Sequence, residues 1–235
     1  MKSIVLSIVS VAILFSCTKE ETTTPQLGVD DQFNVSTKGW TGDFADYPVG
    51  EESFYELSIK EAKLPAPLDS TKKGLRVSGN NHSDDLFMYI TKKLTVPKAN
   101  QLYKGTFEVE FASSVAKGMI GVGGSPGESV YVGIGLTSVE PKKVANTTSK
   151  HYEMNIKKMQ QAGDGADMKV IGNVANGTEE NKFKLVKRTG EFTGKSDANG
   201  NLWVIVGTDS GFEATTTLYY TGVKVVLTET TTAAQ

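Results

Sequence analysis

The chain has 235 residues, a formal charge of −2, 38% hydrophobic and 9% aromatic residues. That suffices for one large core or two small ones. With 25 Lys and Arg against 27 Asp and Glu and no basic stripe, the sequence argues against a nucleic-acid-binding protein, because phosphate recognition needs clustered cations.

The N-terminus carries Lys2 and then an apolar run from Ile4 to Phe15, broken only by Ser7 and Ser10. About a dozen residues cannot cross a hydrocarbon core of about 30 Å as a helix, but they suit the h-region of a signal peptide. Leu14-Phe15-Ser16-Cys17 follows and resembles the bacterial lipobox, with Leu at −3, a small residue at −1 and Cys at +1. Phe15 at −2 is bulkier than that pattern prefers. The resemblance implies a signal peptide over residues 1–16 and cleavage before Cys17. It also implies diacylglycerol and acyl chains (palmitate) on that cysteine, holding the protein to a lipid bilayer of the cell envelope. Cys17 is the single cysteine, so an exported chain has no disulfide to make with it. Residues 17–28 are polar and aperiodic and read as a flexible tether. Their Lys19-Glu20-Glu21 is similar to the acidic signal of Bacteroidota-type lipoproteins, which implies the outer membrane and its outer surface.

Residues 29–228 read as one β-sandwich domain, and residues 229–235 as a fraying Thr/Ala tail. Residues 39–56 are weakly periodic and loop-like. Beyond them, period-two alternation marks strands: Leu86, Met88 and Ile90; Phe107, Val109 and Phe111; Val130, Val132 and Ile134; Val223, Val225 and Leu227. Further strands are expected near 74–78, 118–122, 152–157, 168–174, 183–188, 202–207 and 215–220, with one helical turn at most over 157–162. Asn176-Gly177, Gly163-Asp164-Gly165 and Asp197-Ala198-Asn199-Gly200 supply turns. Leu202 to Gly207 is apolar on both faces, so that strand should be central and covered on both sides, with Trp203 in the core. The pattern predicts an all-β antiparallel sandwich, a jelly roll of about eleven strands. The run Thr216-Thr217-Leu218-Tyr219-Tyr220-Thr221-Gly222-Val223-Lys224-Val225 is similar to the closing strands of galactose-binding-like jelly rolls. Many carbohydrate-binding modules share that fold. The resemblance covers roughly 25 residues (202–227) and implies the fold more than any ligand.

Several groups of residues are candidates for chemistry. Ser78 to Asp85 packs Asn80, Asn81, His82, Asp84 and Asp85 into one connection. A hydrogen-bonded turn explains them first; oxygen ligands at such spacing also suit Ca²⁺, and the loop could contact a ligand. Gly207 to Glu213 adds Asp209, Ser210 and Glu213 on the connection between two strands expected to be neighbours. Asp84, Asp85, Asp209 and Glu213 are therefore the expected ligands of a structural Ca²⁺. Gly121 to Gly127 is glycine-rich but precedes a strand, whereas a phosphate loop needs a following helix. Nucleotide binding is excluded, and a tight turn or a close backbone approach is expected. Glu108 and Glu110 share one strand face, a poor arrangement for flanking a glycosidic bond. His82 and His151 lie in no nucleophile or zinc motif.

Trp40, Phe44, Tyr47, Phe54 and Tyr55 are interleaved with Asp43, Asp46, Glu51 and Glu52. Aromatics with acids on a loop suit sugar stacking and hydroxyl recognition; the same rings could instead plug one end of the sandwich. Trp40, Tyr47, Asn80, Asn81 and His82 are the expected ligand-binding residues. The leading reading is a lipid-anchored, non-catalytic domain binding a glycan or another envelope ligand. A small lyase or glycoside hydrolase on the same scaffold, and an adhesion subunit with an apolar patch, remain open.

Overall fold

The computed structural model describes residues 27–83 and 85–231. The expected signal peptide, Cys17, most of the expected tether, Asp84 and the last four residues lie outside the described residues. Within them the chain forms β1 (Gly28–Gln32), β2 (Thr41–Ala45), β3 (Tyr47–Pro48), β4 (Ser58–Lys63), β5 (Lys73–Asn80), β6 (Leu86–Thr95) and β7 (Leu102–Ser113). It continues through β8 (Val130–Thr137), β9 (Lys143–Ala145), β10 (His151–Met154), β11 (Lys169–Asn173), β12 (Lys184–Lys195), β13 (Asn201–Ser210) and β14 (Thr215–Thr230).

All pairings are antiparallel and build two packed sheets. One runs β12-β7-β14-β5-β4, with β1 also on β14; the other runs β11-β8-β13-β6-β2. Alternation decides which side chains meet between them. Phe107, Val109 and Phe111 of β7 and Val223 and Val225 of β14 face Leu86, Met88 and Ile90 of β6, Ile134 of β8 and Val204 and Val206 of β13. Each such side chain, fully buried, contributes about 1.5–3 kcal/mol of transfer free energy. The expected all-β sandwich is the observed one. From β5 onward, connections repeatedly carry the chain from one sheet to the other (β5 to β6, β6 to β7, β7 to β8, and β11 through β14). The 197–200 turn and the 211–214 connection therefore join strands of different sheets, not hairpin neighbours.

The second sheet is apolar on its outer face as well. Phe87, Tyr89 and Ile205 there are covered by Ile156, Met159 and Met168. The covering segment follows a small third sheet, β3-β10-β9. Close approach depends on two glycines of β8. A Cβ at Gly133 would sit 2.1 Å from Met159 Sδ, and one at Gly135 would sit 2.2 Å from Asp167 O. β13 is central, as its double apolarity predicts, but Trp203 is only half-buried on its outer face.

Three other expectations change. Residues 118–122 form no strand, because Gly118 and Gly123 take φ of 70° at either end and turn the chain away from any partner. Ile120 is left 96% exposed. Residues 157–162 form no helical turn; the chain closes a tight bridge from Gln160 to Gly163. Residues 215–220 and 223–227 belong to one strand, broken only by a register shift between Tyr220 and Gly222.

Candidate functional site

The segments 46–57, 81–83 and 211–214 converge on one end of the sandwich, with Asp85 beside them. Asn81 ties them: its Nδ2 donates to Ser210 O (2.9 Å) and Phe212 O (3.0 Å), and its Oδ1 accepts from Ser83 N (3.1 Å). Asn80 N donates to Tyr55 O at 2.7 Å, and Tyr55 Oη lies 2.7 Å from Ser83 Oγ. Asn81 is buried and its amide is consumed by these bonds, so it shapes the loop and does not face a ligand.

Two expected stacking residues are corrected by burial. Trp40 is 3% exposed, packs on Phe33 and donates from Nε1 to Asp31 Oδ2 at 3.0 Å. Tyr47 is wholly buried between Tyr55 and Tyr152, and its hydroxyl accepts from Lys143 Nζ at 2.7 Å. Neither ring can offer a face to a sugar; they plug the sandwich. Phe54 is the aromatic left open, 58% exposed, with His82 stacked on it at 4.0 Å between ring centres. His82 Nε2 also donates to Phe54 O at 3.0 Å.

The calcium set assembles only in part. Asp84 lies outside the described residues. Glu213 is turned toward the Gly123 loop and does not join the carboxylates. Asp85 and Asp209 do meet, and Asp46 joins them: one carboxylate oxygen from each lies within 4.8 Å of the others. Asp209 sits inside β13, not on a hairpin loop, because the outward side of that strand is roofed by the 155–168 segment. Asp46 reaches the cluster from a left-handed turn (φ 64°) between β2 and β3, a conformation Asp tolerates.

A cation of the chain's own already fills this cluster. Lys158 Nζ lies 2.6 Å from Asp209 Oδ2 and 2.8 Å from Asp46 Oδ2, and it caps the Phe87 ring at 4.9 Å. Gln160 Nε2 donates to Asp85 Oδ2 at 2.9 Å. Ca²⁺ needs six to eight oxygens. An ammonium seated between two of the three described carboxylates leaves neither the oxygens nor the room there, so the cluster formed by the described residues does not fit the expected ion.

The electrostatics follow from burial. Asp209 is lifted to about 7, first by burial, with Lys158 opposing and Asp85 adding to the rise. Asp46 is raised for the same leading reason. Burial alone would lower Lys158, but the Asp209 and Asp46 carboxylates more than reverse this and hold it above its ordinary value. Asp85 Oδ1 and Asp209 Oδ1 are buried without a hydrogen-bond donor. Two such oxygens facing one another are stable when a proton is shared between them.

Two cavities open beside this cluster. One, about 220 Å³, is lined by Asp46, Ser83, Asp85, Ser149, His151 and Glu153. The other, about 370 Å³, is lined by Pro48, Glu51, Phe54, Tyr55 and His82. The Tyr55–Ser83 hydrogen bond and the adjacent His82 and Ser83 link the two. Sequence reasoning placed Asp46, Phe54 and His82 in the right segments but missed Lys158, His151 and Glu153. The two strand acids are ordinary surface residues: Glu108 pairs with Lys187 at 2.7 Å, and Glu110 accepts from Thr221 Oγ1 at 2.8 Å.

No protein-family model matches this sequence, and no curated protein matches it. Several solved structures are similar in fold. One is a structure of carbohydrate-binding modules from the β-sandwich superfamily, at 8% identity and TM-score 0.40, with 85% of this chain covered and 63% of that one. Another is a family 11 carbohydrate-binding module of a cellulosomal cellulase from Clostridium thermocellum, at 11% identity and TM-score 0.37, covering 85% and 95%. A third is a cleaved adhesin domain of Lys-gingipain from Porphyromonas gingivalis, at 10% identity and TM-score 0.38, covering 88% and 98%. The sandwich assignment rests on the strand pairing of the chain itself.

Proposed function

We propose that this protein is a non-catalytic glycan-binding β-sandwich, held to the cell envelope by lipid on Cys17. The observation that carries the reading is the exposed Phe54 ring, braced by His82, beside a cavity of carboxylates and hydroxyls. An open aromatic face covers the apolar side of a pyranose, and acids and serines at its edge bond the hydroxyls. Among the described residues the acids of this cluster are not free to act as a catalytic pair, since Asp209 is wholly buried and Lys158 is bonded to both it and Asp46.

The position of the site suits an anchored binder. Thr215 of β14 pairs with Asn80 at the cavity end, whereas Val226 of the same strand pairs with Gly28, the first residue of β1. At about 3.4 Å per residue the two ends stand roughly 37 Å apart. A tether leaving at Gly28 would present the cavities away from the bilayer.

The test is a glycan array probed with the purified mature protein. At least one glycan is expected to bind, and Phe54→Ala should weaken that binding about tenfold, near 1.4 kcal/mol, without moving the melting temperature. Binding to no glycan overturns the proposal, and release of new reducing ends from the bound glycan overturns its non-catalytic part. For the anchor, Cys17→Ala should leave the precursor uncleaved; normal processing of that variant refutes lipidation.

A further inference from the structure

We propose that Lys158 and Asp209 join in an intramolecular amide bond, which ties the 155–168 roof covalently to the central strand β13. Lys158 Nζ donates to Asp209 Oδ2 at 2.6 Å and to Met159 O at 3.0 Å, and it meets Asp46 Oδ2 at 2.8 Å. Both partners are shut away from water: the Lys158 side chain is 8% exposed and that of Asp209 0%. They stand 51 positions apart in the chain, so no local turn explains their meeting.

A lysine beside a carboxylate is ordinarily an ion pair and no more. Three features make this pair reactive. Asp209 Oδ1 and Asp85 Oδ1 are both buried without a donor, and a proton shared between them gives Asp209 the neutral carboxyl that an amine can attack; burial favours the same form by lifting Asp209 to about 7. Acids stand on both sides of the pair to carry protons, Asp46 at the amine and Asp85 at the carboxyl, with one oxygen of each of the three acids within 4.8 Å of the others. The Phe87 ring lies 4.9 Å from Nζ, an apolar setting in which a neutral amide replaces two ions that are costly to bury. Asp46 lines the open cavity, where water keeps it ionised, so it serves as the proton carrier and Asp209 as the electrophile. Lys158 holds its proton above the ordinary lysine range, so closure waits on transfer to Asp46 and is slow beside folding.

The step balances. The ammonium gives one proton to Asp46, and the amine lone pair forms the Nζ–Cγ bond with Asp209. One Asp209 oxygen then leaves as its bond to Cγ breaks. Two of the three Nζ protons depart with that oxygen as water, the third remains in the amide N–H, and the shared proton stays on Asp85. No oxidant, reductant or cofactor enters. Reactants held in place reach effective molarities of about 10⁵–10⁸ M, and bulk water does not reach the wholly buried Asp209 to reverse the bond. The chain has one cysteine and so no disulfide of its own; the amide would restrict the unfolded chain in the same way. Closure takes both groups out of titration, so the pH responses of Lys158 and Asp209 belong to the chain before it closes.

The test is peptide mass spectrometry. The full chain is folded, incubated, denatured and digested with trypsin. Segments 158–169 and 196–224, which the Lys positions define, are expected as a single species one water lighter than their sum, uncut after Lys158. Fragmentation should place the link between Lys158 and Asp209. Lys158→Arg keeps a cation between the carboxylates and should abolish the linked species. Asp85→Asn keeps both partners and should slow its appearance several-fold. Recovery of the two segments only as separate peptides, with cleavage after Lys158, overturns the inference. A linked species that survives Lys158→Arg overturns it as well, and closure of Asp85→Asn at the parent's rate refutes the part given to Asp85. The parent's peptides decide even where a variant fails to fold.

Discussion

Replacing Lys158 by Met keeps the alkyl stem over Phe87 and removes the ammonium from between two buried carboxylates. At 2.6 and 2.8 Å and an effective dielectric of about 20, each contact carries about 6 kcal/mol of attraction. Most of that is offset by dehydrating Lys158, 8% exposed, and Asp209, 0% exposed. What the substitution exposes is the uncompensated remainder, about 3–5 kcal/mol when one partner of a buried pair is lost. In a domain of this size that corresponds to a fall in melting temperature of about 6–20 °C. The deficit should depend on pH. Without Lys158, the Asp46 and Asp209 carboxylates are held further above their ordinary range, so the folded state binds more protons than the unfolded one. Stability is then fully present below the ordinary carboxylate range and is lost as pH climbs through the raised values. Melting curves for the variant and the parent at pH 7.5 and pH 5 should show the gap narrowing at the lower pH. A gap equal at both values, or below about 1 kcal/mol at pH 7.5, would refute the account of a single lysine balancing this cluster.

Asp209→Asn should flatten the rise in melting temperature that the parent shows as pH is lowered from 8 to 5, since Asp209 releases its proton near 7; the slope should not vanish, because Asp46 is shifted the same way, and an unchanged slope would contradict the assignment. Gly123→Ala places a Cβ 2.3 Å from Gly211 O at φ +70°, so denaturant unfolding should report a loss of about 1–3 kcal/mol, and a neutral result would mean the close approach is relaxed in solution. Trp40→Phe removes the hydrogen bond to Asp31 Oδ2 but leaves Lys92 on that oxygen at 2.6 Å. A loss of about 1–2 kcal/mol in chemical unfolding is expected, with no effect on glycan affinity; a change in affinity would return Trp40 to the binding residues.

Side-chain alternation is a local property, and it made the sandwich legible from residues such as Phe107, Val109 and Phe111. Local chemistry also explained the Gly121–Gly127 loop, where Gly123 lets the Gly211 carbonyl approach. β1 to β4 and β9 escaped notice because they are short, half-exposed strands with mixed faces. Alternation says which residues share a face. It does not say which sheet a strand joins, and here successive strands repeatedly join different ones.

The sequence by itself determined that the chain is all-β, that β13 is central, and that the N-terminal segment carries a lipobox-like cysteine. Only the tertiary structure decided which polar residues form a site. Trp40 and Phe54 both stand in one aromatic-acidic segment, and long-range covering buries the first and leaves the second open. Asp46, Asp85, Lys158 and Asp209 come from four separate stretches. They meet because the 155–168 segment folds down over the second sheet. The free energy of that contact depends on burial and on charges distant in the chain, neither of which spacing along the sequence encodes.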